Sequence, residues 1–180
     1  MSNSKTAPRP DPGYIAFRWW QALTGQQSDR KETGADRAAR ARLRRASPAD
    51  AICEEATLKL LHALDLPRGR LPRVATLAVV LATIREDDDK RRFGRQIGRE
   101  KIDDGQSAKL STLRFRRLLE AQSEDEISVA FRRAIAIAGF TGNVRDVAWK
   151  LLFWESETTR SDLVLDYYGA ADRPDTKSAA

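Results

Sequence analysis

Apolar residues recur every three to four positions along most of the chain, the spacing of one buried helical face, and nowhere does a convincing two-residue alternation mark a strand. The pattern predicts a first helix over residues 14–23, with Phe17, Trp20 and Leu23 on adjoining positions and a stop near Gly25. A polar loop over 26–33 follows. Residues 35–46 read as an Ala/Arg helix with a narrow apolar stripe of Ala35, Ala39, Leu43 and Ala46. Ser47-Pro48-Ala-Asp50 combines an N-capping hydroxyl, a proline at the first helical position and an acid in the first turn. The helix it opens is expected to bury Ile52, Cys53, Ala56, Leu60, Ala63 and Leu64, ending before Pro67. Residues 71–84 are apolar on most sides, which predicts a central helix.

The second half continues the pattern. Residues 85–106 read as a charged loop interrupted by Gly94, Gly98 and Gly105. A short helix over 111–121 turns Leu118 and Leu119 inward. Ser123-Glu-Asp-Glu126 is a capping-box signature ahead of the stripe Ile127, Ala130, Phe131, Ala134, Ile135 and Ala138, and Gly139 fits the position just past the helix end. Asn143 can cap the next helix, with Val144, Val147, Ala148, Leu151 and Leu152 inward, and a last helix carries Leu163, Val164, Tyr167 and Tyr168. The sum is an all-α bundle of about eight helices with short connections and no sheet. Residues 14–171 are expected to form one domain, between a Pro-rich polar lead over 1–13 and a polar tail over 172–180, both expected to be disordered.

Composition narrows the partners. The 180 residues hold 32 Lys plus Arg against 26 Asp plus Glu, a net charge of +6 with the single His neutral. A basic chain attracts polyanions: nucleic acid, an anionic membrane or an acidic protein. At this length roughly 70% of the unfolded surface can be buried, so no disulfide or metal staple is needed. The single Cys suits a reducing compartment, the N-terminal stretch lacks a signal-peptide core, and the longest apolar run is under half of the ~20 residues a membrane span needs. A cytoplasmic protein without membrane attachment is expected.

Catalytic constellations are missing from the sequence. His62 has no neighbouring Ser or Cys and reads as a surface or boundary residue, while Cys53 falls on an apolar stripe and reads as a small core hydrophobe. The Cys and His supply is too small for a familiar zinc pattern, and the Gly139-Phe-Thr-Gly142-Asn segment is too short for a phosphate loop. The acidic run 86–89 is followed at once by Lys90-Arg-Arg92, which favours self-paired, solvated charge over a metal site. No enzyme activity, cofactor or metal is therefore expected. Of the 4 Trp, Trp19, Trp20, Trp149 and Trp154 all fall within amphipathic helices, which favours packing over base stacking.

Arginine placement carries more information. Arg37, Arg40 and Arg44 recur at i, i+3 and i+7 on one helical face, with Arg42 and Arg45 flanking and only Asp36 offsetting them within the helix. Further clusters are Lys90, Arg91, Arg92, Arg95, Arg99 and Lys101; then Lys109, Arg114, Arg116 and Arg117; then Arg132 and Arg133. No zinc-finger spacing, RNP aromatics or recognition helix accompanies them, so phosphate contact without base readout is the expected mode. A helical adaptor whose basic faces meet acidic proteins is the alternative from another class.

The order of segments resembles the small subunit of the type I-E CRISPR Cascade complex, the CasB family. The carrying features begin with the Trp19-Trp20 pair and the helix ending Ala41-Arg42-Leu43-Arg44-Arg45. They continue with Ser111-Thr-Leu-Arg114-Phe115-Arg116-Arg117-Leu118-Leu119, Phe131-Arg132-Arg133-Ala134, the run from Asn143-Val144 to Trp154, and Tyr167-Tyr168. The likeness spans about residues 14–169, with the tails and the 86–101 segment as variable additions. It implies an all-helical, non-catalytic subunit, paired as a homodimer in an RNA-guided complex. Its implied partners are other Cascade subunits, guide RNA, and single-stranded and target DNA without sequence preference. Carried over by motif, Arg44, Arg45, Arg114, Arg117, Arg132 and Arg133 would neutralise phosphates and help stabilise an R-loop in antiviral defence.

Overall fold

The computed structural model describes residues 11–26, 33–102, 105 and 107–170. The helices are α1 (Pro12–Thr24), α2 (Gly34–Arg45), α3 (Pro48–Ala51), α4 (Glu55–Ala63), α5 (Leu71–Leu81), α6 (Phe93–Ile97), α7 (Thr112–Glu120), α8 (Glu124–Ile137), α9 (Val144–Leu152) and α10 (Glu157–Tyr167). A single 3₁₀ turn, Arg68–Arg70, leads into α5. The architecture is the all-helical bundle the periodicity predicts.

Helix α5 is the hub. Every residue from Arg73 to Leu81 is buried, and α2, α3, α4, α8 and α9 close around it. A helix that is apolar all round gains stability only when covered on all sides, and about 25 cal/mol per Å² of apolar surface removed from water favours that arrangement. Its one charged buried residue, Arg73, is neutralised at the helix start by Glu155 at 2.8 Å and Glu124 at 3.2 Å. The aromatic core continues to the C-terminal side, where Phe131 lies between Phe93 (ring centroids 5.7 Å apart) and Trp154 (5.2 Å). Phe115 stacks on Tyr167 at 3.7 Å, and the Tyr167 hydroxyl donates to the Leu110 carbonyl at 2.6 Å.

Local chemistry sets several ends as predicted. Ser47 and Ser123 make reciprocal capping boxes with Asp50 and Glu126, Asn143 caps α9, and Gly139 takes the left-handed backbone after α8. The residues expected as a lead over 1–13 lie outside the description over 1–10, while Asp11 already caps α1 and Pro12 opens it. The tail over 172–180 lies outside the described residues.

Four expectations need correction. The Ser47 start signal opens only α3, because Glu54 adopts an extended backbone, pairs with Arg42 at 2.9 Å and begins α4 afresh. That break rotates the stripe, so Cys53 and Ala63 are exposed rather than in the core. The segment 85–106 is not simply a loop: α6 buries Phe93 and Ile97 within it. A two-residue parallel pairing, Glu86 with Thr141 and Asp87 with Gly142, also stands where no sheet is expected. It is a stitch between loops, supported by Val144 N–H donating to the Asp87 carboxylate at 2.9 Å.

Candidate nucleic-acid interface

Helix α2 is held to the body by one face. Leu43 is buried, and Arg40 reaches inward to donate to the Ile84 carbonyl at 3.1 Å. The Arg37/Arg40/Arg44 row is therefore divided by its own helix: Arg40 serves the fold, whereas Arg37 and Arg44 are exposed. Arg42 pairs with Glu54, and the same carboxylate raises its pKa through a hydrogen bond and charge. Arg44 and Arg45 are exposed at the C-terminal end of α2, with no carboxylate partner among the described residues. Cations at a helix C-terminus face the negative end of the backbone dipole, so their placement is favourable even without a side-chain partner.

Arg132 on α8 points back at this helix end. Its guanidinium donates to the carbonyls of Arg44 and Ala46, the latter at 3.0 Å. Carbonyls in the last turn of a helix lack partners along the helix, and a guanidinium fork satisfies two at once. Burial, and secondly the neighbouring Arg44 charge, lower the Arg132 pKa. Arg132 thus brings α8 and α2 into one surface, with its own donors directed at backbone.

Arg133 faces the other way. It lines the groove between α7 and α8 together with Arg117, Glu120 and Glu126. Arg114 lies one turn before Arg117 on α7. Phe115 and Leu118 anchor α7 through its buried face, which leaves Arg114, Arg116 and Arg117 in solvent. None of Arg114, Arg117 and Arg133 has an ion pair within 4.0 Å among the described residues.

The cluster 90–101 behaves differently. Arg91 pairs with Asp88 at 3.1 Å and approaches Glu100 at 3.8 Å, while Arg92 lies 3.9 Å from Asp166. Asp166 is fully buried, in reach of Lys150 at 3.7 Å, and Lys150 is itself held by Asp146 at 2.9 Å. Burial raises the Asp166 pKa, against the lowering influence of Lys150 and Arg92. Asp166 is not among the residues that charge clustering singles out; its place between Leu163 and Tyr167 on an apolar stripe is the signal that marks it.

Trp20 and Trp154 are buried, each donating its indole N–H to a backbone carbonyl, of Ile84 at 3.2 Å and of Ala121 at 3.0 Å. Trp19 packs against the core and donates to Ala56 O at 2.9 Å. Trp149 departs from the packing expectation: it is 44% exposed and contacts Phe153, itself 37% exposed, at 4.5 Å. His62 is exposed. Among the described residues no group of His, Cys, Asp and Glu could hold a metal ion, and no helix is long and apolar enough to cross a membrane.

Fold and surface define a helical bundle that carries clusters of exposed guanidinium groups. The sequence model of the CRISPR-associated protein Cse2 family matches residues 39–168, and the chain belongs to that family. Among solved structures, a chain in the crystal structure of E. coli Cascade bound to a PAM-containing dsDNA target is similar in fold, with a TM-score of 0.56 and 20% identity. The alignment covers 86% of this chain and 97% of that one. No curated protein matches the sequence significantly.

Proposed function

We propose that this chain is a non-catalytic small subunit of a type I-E CRISPR RNA-guided surveillance complex, and that it holds nucleic-acid backbone through arginines on α2, α7 and α8. The observation that carries this reading is the set of exposed arginines, Arg44, Arg45, Arg114, Arg117 and Arg133, with no carboxylate partner among the described residues. Like charges repel one another within each cluster, and a polyphosphate strand relieves that repulsion while releasing its condensed counterions. Arg37 adds to the same face of α2; Arg40 and Arg132 support it by fixing the helix to the body. Family membership and the likeness to a chain of DNA-bound Cascade support the assignment to such a complex.

In this reading its partners are other Cascade subunits, guide RNA, a second copy of the chain, and the target and displaced DNA strands, all in the cytoplasm. R-loop formation is a nearly balanced strand exchange, so a few phosphate contacts suffice to tip it; the principle is drawn from another effector class and applies by analogy. The test is a titration of the full chain with single-stranded DNA at rising salt. The expected log–log slope is several units negative. A flat salt dependence, or binding that survives removal of the α2, α7 and α8 arginines, overturns the reading in favour of acidic protein partners.

A further inference from the structure

A cavity of about 470 Å³ lies between the 90–101 segment and the end of α10. Among the described residues five cations line it, Lys90, Arg91, Arg92, Arg95 and Lys101, against two carboxylates, Glu100 and Asp166. Its volume is within the range of roughly 300–1,000 Å³ typical of small-molecule sites. The two acids differ. Glu100 is exposed at the rim and answers Arg91. Asp166 is fully buried, and neither of its carboxylate oxygens accepts a hydrogen bond. Its nearest cations, Lys150 at 3.7 Å and Arg92 at 3.9 Å, supply charge without hydrogen-bond geometry. The carboxylate is fixed there by packing, since the Gly94 backbone lies against its Cβ.

A simple anion does not suit this cavity. A lone phosphate would satisfy the cations and oppose Asp166. A simple cation would do the reverse. The complementary ligand carries negative charge at one end and a hydrogen-bond donor a few bonds away. A ribonucleotide unit has that design, with a phosphate and a sugar hydroxyl on one ring; a deoxynucleotide inside a strand has the phosphate and no sugar donor.

We infer that this cavity is a ribonucleotide site, in which Lys90 and Arg92 face the phosphate and Asp166 accepts a hydrogen bond from a sugar hydroxyl. Arg92 lies 3.9 Å from Asp166 with an exposed side chain; in the bound state it would turn to the phosphate and leave the carboxylate to the hydroxyl. The site is independent of the arginines on α2, α7 and α8. Those read phosphate and treat RNA and DNA alike; this cavity distinguishes them.

The test compares binding of a short oligouridylate and its 2′-deoxy counterpart to the full chain at low salt. The expected result is tighter binding of RNA by roughly tenfold, the worth of one hydrogen bond to a charged acceptor. Asp166→Asn should bring the two affinities together while leaving the deoxy strand's affinity nearly unchanged. Lys90→Ala with Arg92→Ala, at exposed positions that leave the core intact, should weaken RNA more than DNA; this pair decides the matter if the Asp166 variant fails to fold. Equal affinities in the parent protein overturn the proposal, as does an RNA preference that survives both variants. Displacement of the RNA by uridine monophosphate supports the site and assigns it to free nucleotide. An RNA preference without displacement supports it and assigns it to a strand. Arg44→Ala should weaken RNA and DNA equally, so failure of this site and failure of the arginine face give different patterns.

Discussion

The two basic regions of the molecule have similar composition and opposite electrostatic habits. Around α6, α9 and α10, positive charge is answered from within: Arg91 by Asp88, Lys150 by Asp146 and Asp166, and Arg92 by Asp166. On α7, α8 and the end of α2, Arg44, Arg45, Arg114, Arg117 and Arg133 stand in solvent without such answers among the described residues. Net charge does not separate these regions; the disposition of carboxylates does. Close internal pairing, as at Lys150, ties a side chain to the fold, whereas cations without a close carboxylate, on α2, α7 and α8 and at the rim of the 90–101 cavity, remain available to an external anion.

The largest expected effect comes from breaking the paired region. Lys150→Ala leaves the buried Asp166 and the half-buried Asp146 without the ammonium they share, and a broken buried pair costs about 3–5 kcal/mol. Chemical denaturation should show that loss, with the salt slope of DNA binding unchanged in the folded fraction. A midpoint equal to that of the parent would mean that solvent already answers those acids. Next is Arg132, which belongs to both worlds. Arg132→Ala should destabilise the protein by about 1–3 kcal/mol, because two carbonyls at the end of α2 lose their donor. Backbone amide exchange in α2 should quicken with it; unaltered exchange would show that Leu43 and Arg40 hold α2 without it.

Smaller in stability and larger in binding are Arg44→Ala and Arg45→Ala. Each should change folding stability by less than about 0.5 kcal/mol. Each should also reduce the salt slope for single-stranded DNA by about one unit if it touches phosphate. A reversed ranking, with stability lost and slope kept, would move these residues into the self-paired class.

The smallest effect concerns pH. Glu126 has its pKa lowered by hydrogen bonds from the backbone N–H groups of Gln122 and Ser123 and from the Ser123 hydroxyl. A lowered carboxylate contributes stability that is complete above its unfolded value of about 4.3 and lost as pH falls through the folded value. Glu126→Gln should therefore flatten the fall of thermal stability on acidification. An identical acid limb in the variant would assign that fall to other carboxylates.

Much of this organisation was legible in the chain. Helix periodicity, the capping signals at Ser47, Ser123 and Asn143, and the all-round apolar run of α5 specify the bundle. The break at Glu54 was not legible, because it uses neither Gly nor Pro and depends on a distant partner, Arg42. Helix α6 was hidden by charge: only Phe93 and Ile97 mark its buried side within a run of Lys and Arg. The arginine clusters were visible as composition, but their division was not. Whether Arg40 or Arg132 turns toward a carbonyl depends on which helix end the fold brings alongside. Asp166 was the converse case, a polar letter on an apolar stripe whose surroundings come from two other segments, the start of α6 and α9.

Gly94 in α6 and Gly98 just after it carry one more consequence. Any side chain at Gly94 would meet the Cβ of Asp166, and any side chain at Gly98 would meet the Tyr167 backbone. Main chain rests on main chain there, stitched by Arg99 N–H donating to Tyr167 O at 2.8 Å. Spacing at this corner is set by the polypeptide itself and leaves nothing for side-chain bulk to adjust. Relatives that diverge here can vary what the rim presents, but a change in the gap itself would require rebuilding the joint.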